Sequence, residues 1–160
     1  MIPCQGLAAL GLATLLSACS TPAPPPQPAF YADLARPGAV LDPGTATEII
    51  NAYRQRNGLA PLSWDAGLQQ QAMREADLLA TRGDLSDGGR DSLRALSTAG
   101  AVRRSVSGGY HSFADAFSGW RGSPAHDAVL KAKDGGRYAI AAVSRPGSRH
   151  RVYWVMLVAR

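Results

Sequence analysis

Apolar residues recur at helical spacing in the first half of the chain and predict two helices there. Thr45 and Glu48 stand three positions apart, as a capping box requires, and predict a helix over residues 46–57. Ser63 is predicted to cap a second helix that ends at Gly83. The apolar stripe of this second helix should face the core and consists of Leu68, Ala72, Ala76 and Leu79.

The middle of the chain is predicted to alternate short helices with irregular segments. A short helix is expected over residues 91–98, and the glycine-containing stretch 103–109 is predicted to be irregular. Ser123 followed by Pro124 indicates a helix start, because proline at the first helical position gives up no hydrogen bond. Just before it, Ser112 can cap a helix with the inward residues Phe113, Ala116, Phe117 and Trp120.

Near the C-terminus the pattern changes from helical spacing to continuous apolar runs. Residues 138–143 and 152–159 are rich in β-branched and aromatic side chains, and the segment between them is polar and contains Pro and Gly. The two runs therefore predict an antiparallel pair of strands. Helices that precede strands along the chain indicate an α+β layered domain.

The first residues are predicted to carry an export signal. The uncharged apolar run 6–16 is too short for a bilayer span, which needs about 20 residues, but it fits a signal-peptide core. It closes with Leu16, Ser17, Ala18 and Cys19, which resembles a bacterial lipobox, whose cysteine is acylated before cleavage. We therefore predict a lipoprotein signal peptide over residues 1–18 and lipidation of Cys19. An ordinary secretory signal cut near Ala18, or a buried helix, is the alternative interpretation.

A proline-rich linker is predicted over residues 19–41, followed by a single domain over residues 42–160. Tyr31 and Leu34, within the linker, could dock on the domain. The acyl chains would anchor the protein in a membrane of the cell envelope. Ser20 follows the predicted lipidation site, and by resemblance to sorted lipoproteins it favours the outer membrane of a Gram-negative cell, facing the periplasm.

Composition and charge narrow the class of protein. No disulfide is expected, because Cys4 would leave with the signal and Cys19 would carry lipid. The fold must therefore be held by a hydrophobic core, for which the 46% hydrophobic content is sufficient. Residues 92–160 hold eleven Arg and Lys against three acids, whereas residues 42–91 hold five against eight. A basic face could attract an anionic envelope polymer or lipid headgroup, and a plain solvated surface is the alternative. No basic and aromatic pattern of a nucleic-acid reader is present, so nucleic acid is not an expected partner.

Three stretches of the chain together resemble a known family. The first runs from Asn51-Ala-Tyr-Arg54 through Gly-Leu-Ala-Pro-Leu-Ser-Trp-Asp65, the second is Trp120-Arg-Gly-Ser-Pro-Ala-His126, and the third comprises Tyr-Ala-Ile-Ala and Tyr-Trp-Val in the two predicted strands. Their order and spacing resembles the CAP superfamily, the SCP-like domain of cysteine-rich secretory proteins, antigen-five allergens and many bacterial exported proteins. The resemblance covers about residues 45–160 and implies a three-layer α-β-α sandwich with C-terminal antiparallel strands.

The CAP family is marked by a cleft tetrad of two His and two Glu, which holds a divalent metal in some members. The resemblance places His126 at one His position and Asp87 at the other, with Arg104 and Ser123 at the Glu positions. An always-charged guanidinium repels a metal ion, so neither a metal site nor another cofactor is expected. Arg104 is instead expected to pair with Asp87 or to clamp a carboxylate or phosphate.

His126 is the candidate catalytic residue if the protein is an enzyme at all. It falls in the first turn of a predicted helix, where the positive end of the dipole disfavours imidazolium, so a neutral ring is expected near pH 7. The ring could bind a ligand or be a packed structural histidine. Ser123 and His126 could suggest a nucleophile and its base, but a helix cap explains Ser123 better. Tyr110, followed by His111, could line the same groove or belong to a surface loop.

The remaining aromatic and histidine residues have simpler interpretations. Trp64, Trp120 and Trp154 each lie in an apolar pattern and are expected to anchor the core. His150 lies in the polar segment between the two predicted strands and is expected to face solvent.

These observations favour a lipid-anchored, non-catalytic binding module of the cell envelope. Its cleft around His126 and Arg104 would be presented to an anionic polymer, a lipid or a partner protein. The alternative is a hydrolase of peptide or peptidoglycan that uses His126 as general base, with Asp87 or Ser123 assisting. A purely structural envelope protein is the third possibility.

Overall fold

A computed structural model describes residues 26–86 and 102–160 of the chain. Four predicted features lie outside the described residues: the signal peptide, Cys19, Asp87 and the helix over 91–98. No helix in the described ranges is both long and apolar enough to cross a bilayer. The elements are a 3₁₀ turn Ala29–Tyr31, α1 Pro43–Arg56, β1 Ser63–Trp64, α2 Ala66–Arg82, β2 Val102–Gly108, α3 Phe113–Gly122, α4 Pro124–Leu130, β3 Arg137–Ser144 and β4 Val152–Ala159.

The strands form one four-stranded sheet in the order β1-β3-β4-β2. β3 and β4 pair antiparallel with Ile140 opposite Met156, which confirms the predicted strand pair. β2 pairs antiparallel with β4, and β1 pairs parallel with β3. The irregular conformation predicted for 103–109 is therefore wrong, since these residues belong almost entirely to β2. Arginines and serines occupy most positions of this strand, so the sequence shows no clear alternation of apolar and polar residues with the period of two that a strand has.

Side chains of β4 alternate between two cores, one on each face of the sheet. Tyr153, Val155 and Leu157 point towards α2 and pack against its apolar stripe. Trp154, Met156 and Val158 point the other way and pack against α1, α3 and α4. The sheet is thus enclosed by helices on both faces, and the α+β, three-layer α-β-α sandwich predicted from the resemblance is confirmed.

Helix α1 begins at Pro43, three residues before its predicted start. The Asp42 carboxylate caps it by accepting hydrogen bonds from the backbone nitrogens of Gly44 at 3.1 Å and Thr45 at 3.2 Å. A hydrogen bond from the Thr45 hydroxyl, followed by the two backbone bonds, lowers the pKa of Asp42. The capping box predicted for Thr45 and Glu48 is therefore wrong, because Thr45 is already inside the helix.

The caps of α2 and α3 show one wrong and one correct prediction. Ser63 does not cap α2, because it lies in β1; Asp65 caps it instead and accepts from the Leu68 backbone nitrogen at 2.8 Å. Ser112 caps α3 as predicted, accepting from the Asp115 backbone nitrogen at 3.2 Å. Both helices therefore begin at a side chain that satisfies a free backbone donor.

The segment before α1 packs on the body of the fold. Leu34 is buried, and its backbone nitrogen donates to the His111 carbonyl at 2.7 Å. Ala35 is also buried, and its carbonyl accepts from the Ser144 hydroxyl at 3.4 Å. Tyr31 remains half exposed. The C-terminal part of the predicted linker is thus continuous with the core of the domain.

Two of the three tryptophans anchor the core as predicted. Trp120 and Trp154 are fully buried and meet edge to face, with ring centroids 5.9 Å apart. Trp64 is 44% exposed, so its predicted core position is wrong. Its indole nitrogen lies on the surface and donates to Gln69 Oε1 at 3.2 Å.

Candidate functional site

The Asn-x-x-Arg motif holds together the segments that carry the candidate site. Asn51 on α1 binds the backbone of Leu62 in both directions, donating to its carbonyl at 2.9 Å and accepting from its nitrogen at 2.8 Å. The Arg54 guanidinium is fully buried and donates to the carbonyls of Ala60, Leu130 and Ala132 at 2.8, 2.7 and 3.1 Å. Since Leu130 ends α4, Arg54 fixes the position of the helix that carries His126.

His126 lies in the first turn of α4 and is half-buried. Burial lowers the pKa of His126 below the usual value of an imidazole, so the ring is neutral at pH 7, as the sequence predicted. Within the described residues no side chain or backbone group forms a hydrogen bond with the imidazole ring. A neutral, half-buried imidazole can accept one hydrogen bond from a ligand or donate one to it.

Ser123 lies at the junction of α3 and α4. The predicted helix start is confirmed, because α4 begins at Pro124. The serine occupies the capping position, but its hydroxyl makes no capping hydrogen bond, so that part of the prediction is wrong. Its backbone nitrogen donates to the Trp120 carbonyl at 3.2 Å and closes α3.

Arg104 on β2 forms an ion pair with an acid of α2 that is not among the predicted site residues. Its Nε donates to Oε2 of Glu75 on α2 at 2.9 Å, and the Glu75 side chain is only 1% exposed. Gln71, one turn earlier, donates to the other Glu75 oxygen at 3.3 Å. Burial raises the pKa of Glu75, and the bonds from Gln71 and Arg104 oppose that rise.

A sequence signal for Glu75 was present. The residue stands three positions after Ala72 and four before Leu79, on the apolar stripe predicted to face the core. A carboxylate at such a position is rarely buried without a cation or several donors. Its position therefore implied a basic partner on the sheet, which the structure identifies as Arg104.

The two faces of β2 carry different chemistry. Arg104 faces α2, whereas Ser105 and Ser107 are buried towards the opposite layer of helices. Trp120 on α3 donates from its indole nitrogen to the Ser107 hydroxyl at 2.9 Å. α4 packs against β2 from this same layer, so the helix that carries His126 and the side chain of Arg104 lie on opposite faces of the strand. Their grouping in one cleft stays a prediction.

Tyr110 lines an open cavity of about 540 Å³, together with Gly109, His111, Asp115, Ser118 and Gly119. The phenol lies directly over Gly119, where an added Cβ would stand 2.1 Å from the Tyr110 hydroxyl oxygen. The Tyr110 carbonyl accepts from the Trp154 indole nitrogen at 2.8 Å, which fixes the loop on the core. His126 and Arg104 do not line this cavity.

A second cavity of about 500 Å³ adjoins the first and shares Asp115 and Ser118 with it. Its wall is mostly apolar and comes from the N-terminal turn, α1 and α3, and it includes Phe30, Ile49 and Phe117. Arg121 lies at its rim and stacks over the Phe117 ring at 5.1 Å.

The residues that the resemblance assigns to the tetrad do not fit a divalent metal ion. Arg104 carries a fixed positive charge and its Nε is engaged by Glu75, so this position offers no ligand. Ser123 offers a neutral hydroxyl, which is a poor ligand compared with a carboxylate. Among residues 26–86 and 102–160, no group of three His, Cys, Asp or Glu side chains is arranged to hold a metal.

Comparison with known proteins gives a consistent family and fold. The sequence model of the cysteine-rich secretory protein family, CAP, matches residues 47–158. An outer surface protein of Borrelia burgdorferi is similar in structure with a TM-score of 0.63 at 16% identity, covering 73% of this chain and 90% of that protein. No curated protein matches the sequence.

Two further solved structures share the fold. An extracellular protein of Bacillus anthracis that contains an SCP domain has a TM-score of 0.63 at 15% identity, with 73% of this chain and 39% of that protein covered. A cysteine-rich secretory protein of Staphylococcus aureus has a TM-score of 0.54 at 19% identity, with 72% and 37% covered. The chain thus spans about two fifths of each of these longer proteins. At such identities the similarity shows the fold alone.

Proposed function

Since the chain belongs to the cysteine-rich secretory protein (CAP) family, we propose that it is a binding module of the cell envelope rather than an enzyme. The ion pair between Arg104 and Glu75 is the observation that carries this proposal. By the resemblance Arg104 stands where the family tetrad has a carboxylate, and the ion pair binds its guanidinium to the fold through a buried acid. Such a position suits an anionic or hydrogen-bonding ligand better than a metal ion.

The proposed binding residues are Arg104 on the α2 face of β2, His126 and Ser123 at the start of α4 in the opposite layer, and Tyr110 at the open cavity, with Asp87 as the fifth. Arg104 supplies a guanidinium held in place by Glu75, and His126 supplies a neutral imidazole at pH 7. Tyr110 lines an open cavity large enough for part of a peptide, glycan or lipid headgroup. The ligand class that this combination fits is an anionic envelope polymer, a lipid headgroup or an acidic segment of a partner protein.

Lipid anchoring is part of the same proposal. It is supported by the run Leu16-Ser17-Ala18-Cys19 after an apolar stretch, and by the outer surface and extracellular descriptions of similar proteins. Replacing Cys19 by Ser should release the protein from the membrane fraction of cells. Full retention of the Cys19→Ser protein in that fraction would exclude acylation as the tether.

A hydrolase is the second candidate function, and the neutral state of His126 favours it. A histidine whose pKa is lowered by burial is available as a general base at pH 7. In this role it would need a nucleophile or water within hydrogen-bond reach, and the Ser123 hydroxyl is the nearest candidate along the chain.

One experiment separates the two functions. The chain from Ser20 to Arg160 is titrated with zinc and calcium and assayed for turnover of peptide and peptidoglycan fragments, alongside His126→Ala and the control His150→Ala. We expect neither metal binding nor turnover from any of the three proteins. Turnover that His126→Ala abolishes and His150→Ala preserves would overturn the binding-module proposal in favour of the hydrolase. Stoichiometric zinc binding would overturn the argument from Arg104.

A further inference from the structure

Five exposed arginines gather at one end of the domain, where the β3–β4 hairpin, the last turn of α2 and the N-terminal segment meet. We call this surface the arginine end. It consists of Arg36, Arg82, Arg145, Arg149 and Arg151.

Direct contacts bring the segments that carry these arginines together at one end of the sheet. Arg145 donates from Nη2 to the Thr81 hydroxyl at 2.8 Å, which ties the hairpin to the last turn of α2 beside Arg82. The Arg145 backbone nitrogen donates to the Arg151 carbonyl at 2.7 Å and closes the hairpin. The bond from Ser144 to the Ala35 carbonyl brings the N-terminal segment, and with it Arg36, to the same place.

The charge of the arginine end is poorly compensated within the described residues. Asp33 contacts Arg36 at 3.7 Å, but both side chains are largely exposed and the pair is weak. Asp84 lies near Arg149, and its carboxylate already accepts hydrogen bonds from Ser86. Even with the exposed Asp77, one turn before Thr81, counted as well, three described acids stand against five arginines, and the surface keeps a net positive charge.

Arg151 adds an independent observation, because its backbone is in the left-handed region with φ of 60°. Outside glycine this conformation is uncommon, and such positions cluster at functional sites. Gly147 at the hairpin turn has a φ of 80°, which glycine adopts without cost. The hairpin thus accepts local strain at the position where it displays an exposed guanidinium.

We propose that the arginine end binds the anionic headgroups of a phospholipid membrane. The choice of a membrane over another polyanion rests on the proposed lipid anchor. Eight residues lie between Cys19 and Pro28, the last residue before the N-terminal turn, and the nine steps from Cys19 to Pro28 span at most about 32 Å. Arg36 follows that turn and belongs to the arginine end, so the tether holds this surface close to the bilayer. Guanidinium groups bind phosphate bidentately, and five on one surface bind a layer of headgroups together.

The test uses the chain from Ser20 to Arg160, which lacks the acylated cysteine and retains every described residue. Its binding is measured by co-sedimentation with phosphatidylcholine vesicles, with and without phosphatidylglycerol. The double variant Arg149→Ser/Arg151→Gly removes two charges from the arginine end. The matched control Arg56→Ser/Lys133→Ser removes two exposed charges elsewhere and gives the same net charge.

We expect binding only to vesicles that contain phosphatidylglycerol, weakening as salt is added. Each basic residue near an anionic bilayer contributes on the order of fivefold in affinity, so Arg149→Ser/Arg151→Gly should bind on the order of 30-fold more weakly. Arg56→Ser/Lys133→Ser should bind within about twofold of the parent. The thermal midpoint of the first variant should not fall, since glycine suits the backbone at position 151 better than arginine does.

Three results would overturn the proposal. The first is equal binding to vesicles with and without phosphatidylglycerol. The second is an equal loss of vesicle affinity in the two double variants. The third is binding to soluble polyphosphate without binding to vesicles that contain phosphatidylglycerol. The last result would identify a polymer as the partner instead. None of these measurements depends on acylation, so failure here is distinguishable from retention of Cys19→Ser in the membrane fraction.

Discussion

Replacing Arg54 by methionine tests whether a buried cation without an acidic partner stabilises this fold. Within the described residues its bonding partners are backbone carbonyls, and burial lowers the pKa of its guanidinium. Methionine retains much of the apolar stem and removes the N–H donors, so the substitution mainly breaks hydrogen bonds. Two effects then compete: relief from burying a charge, and the loss of donors to three carbonyls.

The structure indicates that the lost hydrogen bonds dominate. The Ala132 carbonyl also accepts from the Gly135 backbone nitrogen at 3.2 Å, so it keeps one partner without Arg54. The carbonyls of Ala60 and Leu130 have no second donor among the described residues. The buried Leu130 carbonyl costs about 1–3 kcal/mol when it is left without a donor, whereas the Ala60 carbonyl costs less because Ala60 is exposed and water can replace the donor. With imperfect packing of methionine added, we expect Arg54→Met to lower the free energy of unfolding by about 2–4 kcal/mol.

Urea unfolding at pH 7, followed by tryptophan fluorescence, measures this difference because Trp120 and Trp154 are fully buried. Arg56→Met is the matched control, since it removes an exposed arginine from the same helix and should cost under about 0.5 kcal/mol. A loss for Arg54→Met within 1 kcal/mol of that control, at an unchanged m-value, would refute the reasoning. It would mean that the cost of burying the guanidinium cancels its hydrogen bonds.

Two further predictions concern the segment after α4. Asp134 lies between two arginines, Arg103 at 2.6 Å and Arg160 at 3.0 Å, which lower its pKa to about 2. The contribution of Asp134 to stability is therefore complete above the unfolded pKa near 4 and is lost as pH falls towards 2. The free energy of unfolding of Asp134→Asn should accordingly be lower than that of the parent at pH 6 and should converge with it at pH 2. A difference independent of pH would contradict this. Gly135→Ala should destabilise by about 1–3 kcal/mol in thermal melts, because its Cβ would stand 2.7 Å from Val158 Cγ1, whereas Gly122→Ala has open space and should be neutral or stabilising.

The elements that the sequence predicted well are those in which one face is apolar throughout. The stripe of α2 and the two runs of β3 and β4 bury nearly all their large apolar residues, so hydrophobic period alone identified them. β2 was missed because its buried positions include Ser105 and Ser107, which lack an apolar signature. The predicted starts of α1 and α2 differ from the observed ones because Asp42 and Asp65, rather than the nearby Thr45 and Ser63, cap these helices.

The candidate site was only partly predictable for a related reason. Arg104 could be singled out as a departure from the family tetrad, but its partner Glu75 lies 29 residues earlier on another element. Likewise, the Asn-x-x-Arg motif was recognised by its resemblance, although its role in binding backbone carbonyls depends on how α1 meets α4. Long-range polar contacts of this kind follow from tertiary packing, which no local pattern encodes.

Arg104 and α4 lie on opposite sides of β2, and this limits the size of ligand that could contact both Arg104 and His126. Side chains on opposite faces of a strand point away from each other, and β2 lies between the Arg104 guanidinium and the layer that carries His126. No single ion can contact both groups across a strand. A ligand that contacts both must pass around the edge of β2, which is the last strand of the described sheet. An extended molecule with several polar groups meets this requirement, so the geometry that opposes a metal centre also favours a polymeric or peptide ligand over a small one.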